Sequence, residues 1–591
     1  MATIAQPPPR PSSGEPPDQR VQAVGARAHV EHVAEEIPQP RWLEGLAIFL
    51  VAAGVYFWIG YETVVNDGVV VFDALDRLTR AYMVWHNDPP KLAAIGFVFP
   101  PLTTMAFLPF TVIKPVATSL VALPLASALF GGSMVVAMNR LLARCSMPGL
   151  WRWSLLAIFA LNPMLVFYAG NGMSEVIYLA LLTFSLYCFM SWLLTSQPRF
   201  VVAAALAFSL LVLLRYSFGI WALVIAVAMA VGLSRRGAAN DEIEGTLVTY
   251  LAPLVYALGA WVLFNWLIVG DPLGWLGSSG AFAVNAPQAD ATGGVDVLDV
   301  MLHGSQLALG VFALGFVVIP ALVLAGLSKR DEMSWWLALL AIACIVVLGA
   351  GALIEQDLDV LAMRNALPLL IVCVAGVAWL YRILPGLRTL IWVLAATGLL
   401  LTSLGSWTAM QHYPFQGSEQ AFVRAIQSGE DQSGTNAIGG FRVGTGPEEQ
   451  MAAYVNRNVE GSSTILADNA QTFGVILLSG RPQAFFDRVD RGDDAFDETV
   501  LRPHGDVTHL LMAKQVSGDL IRRSYPTAAA RVAAGLTPVF ETERYLLLEV
   551  ADSDPRRPAA PGGATGGTGS GLGQVGGAAQ GADGTPGTTP P

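Results

Sequence analysis

Long apolar runs separated by short polar segments dominate the chain from residue 43 to residue 407. Runs near 43–61, 117–138, 151–169, 176–196, 200–214, 218–233, 247–269, 304–327, 333–353, 365–381 and 388–407 predict about eleven membrane-crossing helices. The pair within 200–233 is the shortest of them. One further run, 97–113, is apolar too, but Pro100, Pro101 and Pro109 interrupt it, so it is expected to lie partly embedded at the outer interface. Ahead of it, residues 69–86 (VVVFDALDRLTRAYMVWH) separate charged from apolar positions at helical spacing and predict an interfacial helix. After residue 409 the pattern changes. STILAD, PQAFFD, THLLMA and RYLLLEV read as short buried strands, and Glu448–Arg457 and Pro526–Ala534 as helices, which makes a small α/β domain.

Composition agrees with that division. Of 591 residues, 54% are hydrophobic and 13% charged, against about 25% charged in a soluble domain. The net charge of −11 comes without any stripe of Lys and Arg, so nucleic acid is excluded as a partner. Cys145, Cys188, Cys344 and Cys373 show no metal or disulfide spacing and read as packing residues. A nucleotide-binding loop of the form GxxxxGK[ST] is absent, which excludes an ATPase of that kind. The Pro-rich residues 1–42 predict a disordered cytosolic tail rather than a signal peptide, and the Gly/Pro-rich residues 553–591 a second disordered tail.

Orientation follows from the basic loops. Placing 97–113 at the interface puts Arg140, Arg144, Arg152, Arg199, Arg235, Arg236, Lys329, Arg330, Arg382 and Arg388 all on one side, which the positive-inside rule makes cytoplasmic. The expectation is a protein of the inner (plasma) membrane with its N-terminus inside. Residues 43–408 form the transmembrane domain, with outer loop 62–116, and residues 409–552 an extracytoplasmic domain.

The candidate chemistry sits on the outer side. Asp67, after Asn66 at the mouth of the first span, has no partner at helical spacing and reads as a helix cap or a functional carboxylate. Asp73 and Asp76 have Arg77 and Arg80 at i+4 and read as surface ion pairs. Glu175 follows Ser174 at the outer start of a span, where an N-cap and a helix-dipole role account for both. Arg215 and Arg364 lie at outer ends of spans against the positive-inside bias. A guanidinium there matches a phosphate or snorkels to headgroups, and Glu355, Asp357 and Asp359 are alternative partners for Arg364. His86 and Lys91 are weaker candidates, the first as a cap of the interfacial helix, the second as a phosphate contact.

The order of a span, Asn66-Asp67, an interfacial helix, LAAIGFVFPPL, ALNPMLVFYAGNGMSE and a late outer Met363-Arg-Asn-Ala-Leu-Pro resembles the GT-C superfamily of integral-membrane glycosyltransferases. The resemblance covers about residues 43–408 and is strongest to the branch similar to protein mannosyltransferases and lipid-A aminoarabinose transferases. It implies a GT-C-like fold and a polyprenyl-phosphate sugar donor. The acceptor implied is an envelope glycan, lipid or protein. By position it makes Asp67 the catalytic residue, where many relatives carry two acidic residues in place of Asn-Asp. Arg364 and Arg215 become donor-phosphate ligands, with Asn66, Glu175, His86 and Lys91 in support. A divalent cation is a candidate cofactor. The rival classes are a transporter or flippase of lipid-linked sugars, disfavoured by the lack of an inverted repeat, and a non-catalytic envelope scaffold.

Overall fold

Each apolar run folds as helix, and the computed structural model describes residues 42–96, 100–273, 296–355, 358–414, 416–434, 443–487, 489, 493–503, 506–514 and 518–551. The two expected tails lie outside the described residues. Helix α1 (Trp42–Gly60) runs on through a π-helical turn, Tyr61–Asn66, and α2 (Phe72–His86) is the helix expected within residues 69–86. The remaining helices before the C-terminal domain are α3 (Leu102–Thr111), α4 (Ala122–Arg144), α5 (Gly149–Ala160), α6 (Pro163–Tyr168), α7 (Ser174–Thr195), α8 (Pro198–Val212), α9 (Phe218–Arg235), α10 (Asn240–Val269), α11 (Val297–Val311), α12 (Gly315–Lys329), α13 (Glu332–Glu355), α14 (Met363–Ile383) and α15 (Arg388–His412).

Eight of these helices are long and apolar enough to cross a bilayer, and α11 with α12 makes a ninth if the pair, bent by 90°, counts as one span. The expected eleven also include the runs 151–169 and 200–214, which fold as shorter apolar helices. The run 151–169 is cut at Asn162-Pro163, where Asn162 Oδ1 accepts from the Met164 amide at 3.1 Å and starts a new helix instead of kinking an old one. The run 200–214 yields only the 15 residues of α8, about 22 Å of helix against a hydrocarbon core of about 30 Å. Helix α3 has 10 residues, too short to cross, in line with an interfacial position. The chain is a multi-pass membrane protein. Helix α14 lies at its centre, with 89% of its apolar window buried.

The basic loops gather at one end of the bundle. Arg382 donates to Ser146 Oγ at 3.2 Å, Lys329 to the Ile383 carbonyl at 3.2 Å, and Arg152 to Glu44. Glu44 begins α1 and Arg382 ends α14 at that basic end, so the start of α14 and the Asp67 end of α1 fall at the opposite one.

The C-terminal domain comprises α16 (Gly417–Ser428), α17 (Gly446–Asn458), β1 (Ile465–Ala467), α18 (Asn469–Ser479), β2 (Phe485–Phe486), α19 (Asp493–Leu501), β3 (His509–Ala513), β4 (Leu536–Glu541) and β5 (Tyr545–Val550). The sheet order is β2-β1-β3-β5-β4; β1 runs parallel to β2 and β3, and β5 antiparallel to β3 and β4. Both faces are covered: Ile465, Leu511 and Leu547 pack on one side, Leu466, Leu510 and Leu548 on the other. Strands buried on both faces read as unbroken apolar runs, which is why four were visible in the sequence. The fifth, β4, escaped notice because it is an edge strand, exposed at Thr537 and Pro538 and bulged there. Met83 and Val84 of α2 join the first of those faces, so the interfacial helix completes the core of the domain that follows it far along the chain.

Candidate active site

Two span-forming helices begin side by side at the end of the bundle opposite the basic loops. Glu175 stands in the first turn of α7, Arg364 and Asn365 in the first turn of α14, and Arg215 in the connection between α8 and α9. Arg215 bridges the two starts: Nη2 donates to Glu175 Oε1 at 2.9 Å and Nη1 to Asn365 Oδ1 at 2.8 Å. Its guanidinium also lies 4.8 Å over the Tyr178 ring, whose hydroxyl donates to the Arg364 carbonyl at 2.8 Å. Glu175 is 1% exposed, so this ion pair is shielded from water on the carboxylate side. Met173, not Ser174, holds the N-cap position, and its side chain makes no cap.

Arg364 has a different situation. Among the described residues its side chain makes no hydrogen bond and no ion pair. The side chains of Glu355, Asp357 and Asp359 lie outside the described residues. It sits instead in the joint field of Glu175, Asp73, Tyr168 and Glu419. A cation in the first turn of a helix faces the positive end of the dipole, so this position is unfavourable unless anions surround it. Each of those groups comes from a separate element. Asp73 is exposed in the first turn of α2; Tyr168 ends α6; Glu419 opens α16 and accepts the Tyr168 hydroxyl proton in a hydrogen bond. Burial pushes the Glu419 carboxyl above the usual carboxylate range.

The turn between α6 and α7 packs these pieces together. Gly172 adopts φ +85°, and a Cβ there would lie 2.6 Å from Leu123 and 3.2 Å from Ala74, the neighbour of Asp73. Its amide donates to Ser127 Oγ at 2.8 Å. Asn171 beside it is 2% exposed; Oδ1 caps the Met173 amide at 3.0 Å, and Nδ2 has no partner among the described residues.

The structure therefore joins Glu175, Arg215 and Arg364, and adds Asp73, Tyr168 and Glu419. The i+4 rule paired Asp73 with Arg77; among the described residues Asp76 and Arg80 form an i,i+4 pair at 2.8 Å and Asp73 forms none. The signal that could have found Asp73 is its place at the start of α2, where a carboxylate is stabilised by the helix dipole without a cation.

Asp67 stands elsewhere. Its amide ends the π-helical turn on the Glu62 carbonyl at 2.9 Å, its own carbonyl accepts from Gln432 N at 2.7 Å, and its carboxylate has no hydrogen bond among the described residues. Partial burial, then Glu62 and Asp431, raise its carboxyl above the ordinary value. Asn66 donates to Glu62 Oε2 at 2.7 Å. Next to Asp67, between its turn and α17, opens a polar cleft of about 530 Å³ lined by Asn66, Thr118, Asp431, Ser433, Thr445, Glu449 and Asn456. His86 Nε2 contacts the Thr111 carbonyl at 2.8 Å and Lys91 donates to the Val489 carbonyl at 3.0 Å. Among the described residues no three His, Cys, Asp or Glu side chains converge, so a divalent cation here would be held by one or two side chains only.

No model of a known protein family matches the chain, and no curated protein matches it. Among solved structures the fold is similar to ArnT from Cupriavidus metallidurans bound to undecaprenyl phosphate, at 13% identity and a TM-score of 0.49, covering 86% of this chain and 98% of that one. It is also similar to the archaeal oligosaccharyltransferase AglB from Archaeoglobus fulgidus in complex with an inhibitory peptide and a dolichol-phosphate, at 11% identity and a TM-score of 0.45, covering 87% and 75%. At such identities the likeness extends to neither substrate nor catalytic residues.

Proposed function

We propose that this protein is a membrane glycosyltransferase that moves a sugar from a polyprenyl-phosphate donor to a hydroxyl of an envelope acceptor, on the extracytoplasmic face of the inner membrane. The observation that carries this reading is Arg364, a guanidinium at the membrane-face end of the central span, unpaired among the described residues and in the field of Asp73. The N-termini of α7 and α14 point their positive ends at the same place, which suits a phosphate. The resemblance of the span–loop–helix order to GT-C enzymes supplies the sugar-lipid class.

In this mechanism Arg364 holds the donor phosphate, and Arg215, braced by Glu175 and Asn365, fixes the wall behind it. Asp73 takes the proton of the acceptor hydroxyl as its oxygen bonds to the anomeric carbon. The bond from that carbon to the phosphate oxygen breaks, its electron pair departs with the polyprenyl phosphate, and Arg364 meets the charge that develops there. Attack opposite the leaving phosphate inverts the anomeric centre.

A second reading keeps Asp67 as the base. It is favoured by the raised carboxyl and the adjacent polar cleft, and it is opposed by the absence of Arg364 and Arg215 from the charges acting on Asp67. Sugar transfer by the purified protein, from radiolabelled polyprenyl-phosphate sugars to an envelope extract, separates the two. Asp73→Asn is expected to lose about 10²–10⁴-fold in turnover, the range for a general base, and Asp67→Asn to lose little. The reverse order returns the assignment to Asp67, and transfer intact in both variants sinks the base mechanism.

A further inference from the structure

The strands β1, β2 and β3 are parallel and end on the same edge of the C-terminal sheet, and each is followed by a buried aspartate. Asp468 is 3% exposed, Asp487 1% and Asp519 0%. Strand order 2-1-3 places the crevice at the carboxyl ends of β1 and β3, where successive crossovers leave in opposite directions. In open α/β sheets that crevice is the usual ligand seat.

Here a side chain from the membrane domain faces it. Arg80 of α2 donates from Nε to Asp76 Oδ2 at 2.8 Å and lies in the field of Asp487 and Asp468. The backbone is shaped around its guanidinium: Gly96 adopts φ +75°, and a Cβ there would lie 2.5 Å from Arg80 Nη1. Lys91 in the same loop donates to the Val489 carbonyl at 3.0 Å, and the Val489 amide donates to Asp487 Oδ1 at 2.8 Å. Further along α2, Thr79 Oγ1 donates to the Phe473 carbonyl at 3.2 Å and the Tyr82 hydroxyl to the Gly480 carbonyl at 3.1 Å.

We infer that Arg80 is a positioning residue: it anchors the interfacial helix on the carboxyl edge of the C-terminal sheet and so fixes where Asp73 stands beside Arg364. The inference rests on the catalytic reading of Asp73 given above. Arg80 and Asp73 are seven residues apart on one helix, hence about two turns and 10 Å apart on the same face. A helix held at Arg80 transmits its tilt to Asp73 as a rigid lever, and a displacement of about 1 Å at a reacting group costs about 10²-fold in rate. The buried carboxylates set the choice of residue. Asp468 and Asp519 spend their oxygens on backbone amides at 2.8–3.2 Å, and the Arg80 guanidinium adds positive charge in the field of Asp487 and Asp468.

The test compares Arg80→Gln and Arg80→Lys in the full-length protein. Two readouts are used, kinetics with the polyprenyl-phosphate sugar and amide hydrogen exchange. Arg80→Gln is expected to lower kcat about 10–100-fold with the donor KM unchanged. Exchange should quicken across residues 72–86 but not across 363–383 or in β1 and β3. Arg80→Lys, which keeps the charge, is expected to restore most of both. Unaltered exchange in α2, or a raised donor KM at unchanged kcat, overturns the anchor. A wild-type protein that transfers no sugar defeats the catalytic reading of Asp73 instead, and the exchange result still decides whether Arg80 holds the helix.

Discussion

Arg544 and Arg364 are both guanidinium groups drawn away from bulk water, and the protein treats them in opposite ways. Arg544, on β-strand residues' approach to β5, is 3% exposed and fully engaged. Its Nη1 donates to both oxygens of Glu448 at 2.9 Å, its Nη2 to the Val443 carbonyl at 3.0 Å, and its plane lies 5.1 Å over the Phe72 ring. Tyr545 adds a hydroxyl donated to Glu448 at 3.0 Å. Nothing is left for a ligand to take. Arg364 has carboxylates around it and no bond among the described residues to any of them. Saturated charge holds a fold together, whereas charge surrounded but uncommitted has binding capacity left over.

Substituting the two residues is the strongest way to break that comparison. Arg544→Ala leaves Glu448 buried without its cation, and about 3–5 kcal/mol of stability is expected to go with it. Thermal unfolding and proteolysis of the C-terminal domain would register the loss. Arg364→Ala is expected to leave unfolding almost unmoved and to cost about 10²–10³-fold in transfer, as for removal of one donor to a developing oxyanion. Equal destabilisation by both would erase the distinction drawn here.

A smaller effect tests how Arg364 is supported. Glu175→Gln removes the charge that braces Arg215, so transfer is expected to fall about tenfold, roughly 1.4 kcal/mol, while the chain stays folded. Measuring Arg215→Ala and the double variant sharpens the point. If the pair acts as one unit the double variant costs no more than the worse single one, and simple addition of the two losses excludes that coupling.

The smallest effect lies in the C-terminal domain and concerns pH. Burial, then the neighbouring Asp468, pushes the Asp519 carboxyl up to about 7 from its ordinary 3.8. The folded state therefore holds a proton that the unfolded chain releases near pH 4. Stability is complete below the unfolded value and declines as pH rises from about 4 to about 7, with a slope of at most about 1.4 kcal/mol per pH unit. Unfolding measured between pH 5 and pH 8 should show that decline in the wild type and a flatter profile in Asp519→Asn. A wild-type profile that rises over the same range would reverse the sign and refute the assignment.

How much of this was legible beforehand differs from element to element. The sequence displayed the spans, the interfacial helix, and strands β1, β2, β3 and β5, because burial on one or both faces writes itself into hydrophobic period. It also displayed Arg215, Arg364 and Glu175 as candidates, since charges at the wrong end of a span stand out against apolar surroundings. It did not display α18 between β1 and β2, nor the edge strand β4, whose exposed Thr537 and Pro538 carry no such period.

Amino-acid order by itself determined that this is a multi-pass protein with an appended α/β domain and cations at the span ends away from the basic loops. Those properties depend on the free energy of moving each segment from water into hydrocarbon, a sum over local residues. Tertiary structure alone decided that Arg215 closes on Glu175, that Arg364 is left uncommitted, and that Asp73 rather than Asp67 lies in its field. It also decided that Arg80 lies in the field of Asp468 and Asp487, about 400 residues further along the chain. Such meetings depend on which helix ends converge in space, and electrostatic interactions between distant segments leave no periodic trace in the sequence.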